Sequence, residues 1–257
     1  MTTTSLVVQY LDDLLDTANV PDYPNAVNGL ELANSGSVMR VAAAVDFSLR
    51  TVQAAALDGA TMLLVHHGMF WGGVQPITGT AHERLRTLIS NDIAVYASHL
   101  PLDRHALYGN NALLAAELGL EPSGEFARFR TIYIGVAGTA DVTTTELVKR
   151  ADAFARRHGG SVRTTPISPE RRTTSWAICT GAGASTETLA EARERGIDTL
   201  IVGEGPHHSA VDADESGIAV IYAGHYATET LGVCALAAHV SDRFGVPWTF
   251  IEAPTGL

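Results

Sequence analysis

Side chains that bind metal ions recur at four places along this chain, each just after a short apolar run. Leu63-Leu64-Val65 is followed by His66 and His67. Ile93–Ala97 is followed by His99, and then by Asp103 and His105. Leu200-Ile201-Val202 leads to Glu204, His207 and His208, and Ile218–Ala223 leads to His225 and Glu229. Imidazole and carboxylate without thiolate suit zinc, manganese, iron, cobalt or nickel. More donors are on offer than one ion can take up. Two divalent ions per chain, with a carboxylate bridging them, are therefore the economical reading, and metal-assisted hydrolysis is the chemistry that such a pair performs. Taken singly, each stretch has a plainer explanation. A His-His pair can simply pack, His225 and Glu229 can cap a helix, and His207-His208 can lie in an exposed loop. Ligands in open parallel sheets bind beyond the carboxyl ends of the strands, which gives all four stretches one cause.

The elements that must position these residues alternate along the sequence. Apolar spacing predicts a helix over Leu6–Leu15, ended by Pro21 and Pro24, with Asn28–Leu32 leading into a first strand. Strands follow at Val38–Val45, Thr61–Val65 and Ile93–Ala97, separated by helices over Ser48–Leu57 and His82–Ile89, with Ser48 as an N-cap. Asn110–Leu118 and Thr144–Arg157 are helical, and Thr131–Val136 opens a middle stretch. Residues 159–174 read as a polar loop or hairpin edge. Strands at Ser175–Thr180, Asp198–Val202, Ile218–Ala223 and Val246–Ile251 then alternate with helices over Ser185–Arg195 and Thr228–Phe244. Short continuous apolar strands between helices indicate an α/β fold with mostly parallel sheets.

A partial repeat supports two related lobes. Tyr96-Ala97-Ser98-His99, with Asp103 four residues on, matches Tyr222-Ala223-Gly224-His225, with Glu229 four residues on. An alanine-rich helix follows in both. The expected lobes are 1–125 and 126–257, with their strand ends facing a shared dinuclear site. His82, His158 and His239 fall on helices or helix ends and read as structural. Gly181-Ala182-Gly183-Ala184 lacks the glycine spacing and the Gly-Lys-Ser/Thr of a phosphate loop, so it reads as a tight strand-to-helix turn.

Composition narrows the partners. The formal net charge of −11 opposes a nucleic-acid partner, while bound metal would still attract a phosphorylated small molecule. Two cysteines, Cys179 and Cys234, are too few for a disulfide framework. Neither a signal peptide nor an apolar stretch of membrane-spanning length is evident, so a cytoplasmic protein is expected. With 46% hydrophobic residues, a sizeable core is expected.

His66-His67-Gly68-Met69-Phe70-Trp71, His99-Leu100-Pro101-Leu102-Asp103, Gly109-Asn110-Asn111 and Gly224-His225-Tyr226-Ala227-Thr228-Glu229 resemble the YbgI-type proteins of the Nif-three-like family, often labelled GTP cyclohydrolase type 2 homologues. The resemblance runs from Asn28-Gly29-Leu30 to Phe250-Ile251. It implies two α/β lobes around a dinuclear centre, in a ring-shaped homohexamer whose sites face an internal cavity. It carries the metal ligands to His66, His67, Asp103, His225 and Glu229. It also matches His208 and Glu204 to the family's Gly-acid-x-x-x-His segment. The chain resembles the short form, without the mid-chain insertion. The activity implied is hydrolysis of a nucleotide-like substrate, in which His99 or His208 moves the proton and Glu204 assists. A metal-dependent phosphoesterase, or a metal-binding assembly protein without catalysis, would use the same groups.

Overall fold

A computed structural model describes residues 2–257. In chain order, α1 (Thr4–Leu15) precedes β1 (Gly29–Leu32), β2 (Val41–Asp46), α2 (Leu49–Leu57), β3 (Met62–His67), α3 (Gly79–Ser90), β4 (Ala94–Ala97) and a four-residue α4 (Leu100–Asp103). Next come α5 (Asn110–Glu117), β5 (Gly124–Phe129), β6 (Ile132–Thr143), α6 (Thr144–Arg157), β7 (Arg163–Thr164), β8 (Arg172–Cys179) and α7 (Thr186–Glu194). The chain ends with β9 (Thr199–Val202), α8 (His207–Glu215), β10 (Ala219–Tyr222), a four-residue α9 (His225–Thr228), α10 (Thr230–Phe244) and β11 (Trp248–Phe250).

The fold is α/β with two sheets, and it divides into two compact units. The first runs up to Leu102 and regains the chain at Gly232–Ala253. Its sheet has the order β1-β4-β3-β2-β11, parallel except for β1 at the edge. Both faces are covered, which is why β2, β3 and β4 read as unbroken apolar runs. Ala42, Ala44, Leu63, Val65, Val95 and Ala97 pack with Val52 of α2 and Leu88 of α3. On the other face, the Tyr96 hydroxyl donates to Asp12 of α1 at 2.8 Å. Ser48 caps α2 as expected, and a reciprocal bond with Thr51 completes a capping box.

The second unit holds Asp103–Leu231 and Pro254–Leu257. Its sheet has the order β5-β6-β8-β9-β10-β7, with a parallel centre (β8-β9-β10) and antiparallel flanks. The period of two along a strand sorts its core into two layers. Trp176, Ile178, Ile201 and Ile221 meet Leu114 of α5 and Phe154 of α6. Ala177, Cys179, Leu200, Val202 and Val220 meet Leu189 of α7 and Ala213 of α8.

This division differs from consecutive halves at 1–125 and 126–257. β11 pairs with β2, which returns the end of the chain to the first sheet, and Leu114 and Leu118 of α5 pack in the second core. β5 was not anticipated, nor were the helices α4 and α8. His66 and His67 are the last residues of β3 rather than a loop after it, because His67 still pairs with Asp46. His207 and His208 open α8 rather than lie in a loop. The repeated motif has a structural counterpart: β4 and β10 each run into a four-residue helix and then a longer one. Among the described residues, no helix is long and apolar enough to cross a membrane.

Candidate metal centre

In the first unit, β3 ends in His66 and His67, and the turn after β4 supplies His99. All three are buried. The His66 ring lies 4.8 Å from that of His67 and 4.9 Å from that of His99. One ring nitrogen from each falls within 4.8 Å of the others, so the group is able to hold a metal ion. Each Nδ1 faces an acceptor: Ser98 O at 2.9 Å from His66, Asp46 Oδ1 at 2.8 Å from His67, and Asp22 Oδ1 at 2.8 Å from His99. An acceptor at Nδ1 selects the Nδ1–H tautomer and leaves the Nε2 lone pair for a cation.

Asp22 also accepts from Tyr23 N at 2.7 Å, Asn28 Nδ2 at 2.8 Å and Leu100 N at 2.9 Å. Burial works to raise its pKa, but His99, Asn28 and the Tyr23 N–H together outweigh burial and hold it below the usual carboxylate value. It therefore stays ionised opposite His99. Asp22→Asn is expected to keep the fold and weaken metal binding about 10-fold, because it loosens the His99 ring that lies against His66 and His67. Competition with a chromogenic chelator measures it, and unchanged affinity would separate Asp22 from metal binding.

Glu31 on β1 fixes the turn after His67. It accepts the Met69 N–H at 2.7 Å, and a Cβ on Gly68 would collide with its carboxylate. Burial raises its pKa to about 7 against the opposing bonds from Met69 and Phe70 N–H.

In the second unit, Asp103 ends α4. Its Oδ1 accepts from Asn110 Nδ2 at 2.8 Å and from Thr180 Oγ1 at 3.5 Å. Asn111 donates to Asp103 O at 3.2 Å and accepts from Thr180 N at 2.8 Å. The Gly109-Asn110-Asn111 run thus seats the carboxylate. Gly109 is required because a Cβ there would strike the backbone oxygens of His105 and Asp103. Beyond β10, His225 opens α9 and Glu229 is that helix's C-cap. His225 Nδ1 faces Glu204 Oε1 at 2.7 Å, and its Nε2 is 3.2 Å from Glu229 Oε2. Glu229 is only 2% exposed. Burial tends to lower the His225 pKa, but Glu229 and then Glu204 outweigh it and raise the pKa to about 9. Surroundings that stabilise an imidazolium to this extent equally favour a metal cation.

Thr180 touches Asp103, and the next residue, Gly181, lies against Glu229 and His225. One strand end therefore adjoins both carboxylates. Of the other residues expected at a site, Glu204 is the acceptor that orients His225, and His208 is exposed on the first turn of α8. The His105 ring accepts from Leu107 N and Tyr108 N and stacks on Tyr108, so it holds its own loop. Sequence reasoning missed Asp22, Asp46 and Glu31, and it noted Asn110 and Asn111 in a motif without their role of holding Asp103. Asp46, at the end of an apolar strand, carried the one signal that could have found it.

Known proteins share this arrangement of elements. The model of the Duf34/NIF3 (NGG1p interacting factor 3) family matches residues 2–255. The chain belongs to the Duf34/NIF3 family. It is 42% identical over 257 residues to the Deinococcus radiodurans protein named GTP cyclohydrolase 1 type 2 homolog, covering 98% of this chain and 93% of that one. The Escherichia coli protein of the same name is 35% identical over 248 residues, covering 96% of each. Among solved Duf34/NIF3-like structures, protein ybgI, described there as of unknown function, superposes with a TM-score of 0.88 at 34% identity over 100% of both chains. HcgD from Methanocaldococcus jannaschii shares the fold, with a TM-score of 0.84 at 21% identity, over 98% of each chain. Within this Duf34/NIF3 chain, nitrogen and oxygen donors with fixed tautomers fit a divalent ion of the zinc, manganese, iron, cobalt or nickel type.

Proposed function

We propose that this chain is a metal-dependent hydrolase of a small, phosphorylated, nucleotide-like substrate, with two divalent ions held by His66, His67, Asp103, His225 and Glu229. One observation carries the reading: all four histidines, His66, His67, His99 and His225, have Nδ1 set against an acceptor. Imidazoles that served only packing would have no common reason to commit the same nitrogen. The relatives' names supply the nucleotide class and the named version of the reaction, that of a GTP cyclohydrolase.

When bound, the ions supply Lewis acidity and make water a better nucleophile near neutral pH. The remaining work belongs to the chain. His99, oriented by Asp22, holds a nitrogen that takes or returns a proton. Glu204 fixes the His225 ring. His208, exposed on the first turn of α8, handles protons without binding metal. The assembly proposed is the homohexamer that the family resemblance implies.

Protein purified without chelator is expected to carry two metal ions per chain by elemental analysis and to elute with a hexamer's mass by light scattering. It is expected to turn over GTP, and that activity should vanish on chelation and return with metal. Turnover of generic phosphodiesters alone would replace the nucleotide class with a phosphoesterase. Tight metal retention with neither activity would leave a binding protein, and one ion or none would overturn the dinuclear reading.

A further inference from the structure

A cavity of about 490 Å³ lies in the first unit and begins at His67. The loop after β3 forms one wall, with Phe70, Trp71, Val74 and Ile77, and α3 forms another with Arg84. Phe70 and Trp71 are 39% and 38% exposed, and Ile77 is 60% exposed. So many large apolar side chains on one short exposed loop mark a binding surface rather than scattered surface residues. Trp71 is also fixed from behind: its ring centroid lies 4.7 Å from that of His67 and 4.6 Å from that of His99. The indole is therefore a rigid wall shared by the cavity and the imidazole group.

Arg84 gives the cavity its polarity. At least seven other arginines of this acidic chain are ion-paired, among them Arg40 with Asp58 and Arg150 with Glu146. Arg84 forms no ion pair among the described residues. Its guanidinium lies 5.1 Å over the Phe47 ring, makes one long bond of 3.4 Å to Phe47 O, and keeps a buried Nε without a hydrogen-bond partner. A half-buried guanidinium with donors to spare, beside an apolar wall, matches an oxyanion attached to a flat ring.

We propose that this cavity is the recognition site for a flat aromatic ligand bearing a carboxylate or phosphoryl group, with the ring against Trp71 and the oxyanion on Arg84. A ligand so placed reaches His67. The assignment rests on the proposed centre only for what the ligand reaches, since binding needs no turnover.

The test uses the metal-loaded full chain and four probes: 2-naphthoate, 2-naphthylphosphonate, 2-naphthalenemethanol and inorganic phosphate. Quenching of tryptophan fluorescence reports binding, and metal content is measured alongside. At least one of the two anionic ring probes should bind at least about tenfold more tightly than the neutral alcohol and than phosphate alone. Whichever binds names the oxyanion. Arg84→Gln should remove that preference and leave the alcohol's affinity and the metal content unchanged. Trp71→Leu should weaken all three ring probes. Affinity for both 2-naphthoate and 2-naphthylphosphonate no greater than for the alcohol in the native chain would overturn the proposal, even if no variant folds. Unchanged binding in a folded Arg84→Gln protein would also overturn it, because the anion would then be held by the metal. An inert protein that still binds an anionic ring probe through Arg84 would sink the hydrolase reading and leave this one standing.

Discussion

Glu229→Gln is expected to lose at least one metal ion per chain and all hydrolytic turnover, while His208→Ala keeps its metal and loses rate alone. The two side chains differ in surroundings more than in chemistry. Glu229 is buried, with Oε2 at 3.2 Å from His225 Nε2, in surroundings that raise the imidazole pKa to about 9. A buried carboxylate is tolerated where a cation compensates it. The amide keeps the shape and removes the charge, so the position can no longer offset a divalent ion or bridge two of them. His208 stands exposed at the start of α8, where an alanine costs the fold little. Elemental analysis beside activity on both variants decides the matter. A full site in Glu229→Gln with an empty one in His208→Ala would reverse the two roles.

What was legible in the sequence follows from how local each signal is. His66, His67 and His225 stood out because apolar runs lead directly into them, and strand ends in α/β sheets are where ligands gather. Ser48 was legible because a cap and its partner, Thr51, lie within one turn. Asp22 was not. It sits between Pro21 and Tyr23 with no periodicity around it, and it meets His99 only through a contact 77 residues long in sequence. β5 escaped because its pattern is broken: Phe126 and Ala127 are both buried, and Ala127 takes a positive φ of 57°, which ends strict alternation. α8 buries only Ser209 and Ala213, too narrow an apolar face for helical periodicity to register. The return of β11 to the first sheet is a matter of topology, and a strand's own residues do not name its partner.

Gly181 illustrates a residue whose importance the sequence conceals, and its substitution carries the second large effect. In the sequence it belongs to a turn, Gly181-Ala182-Gly183-Ala184, and the structure gives it φ +62°. Its N–H donates to Thr228 Oγ1 at 3.1 Å, and its carbonyl accepts the Glu204 N–H at 2.8 Å, which ties this turn to the loop after β9. A Cβ built at Gly181 would collide with Glu229 Oε1 and stand 3.4 Å from His225 Nε2. Gly181→Ala therefore acts twice. The left-handed backbone costs about 1–2 kcal/mol with a Cβ present, a loss of several degrees in Tm for a chain of this size. The methyl group also displaces the carboxylate, so metal affinity should fall by about 10- to 100-fold or more. Gly196→Ala separates the two effects. Gly196 has φ +65°, and nothing lies within 4 Å of its built Cβ, so that variant pays the backbone term alone. Both variants should melt several degrees lower than the native chain, and only Gly181→Ala should lose metal to a competing chelator. Equal metal affinity in the two would mean that Glu229 does not hold the ion from the position seen here.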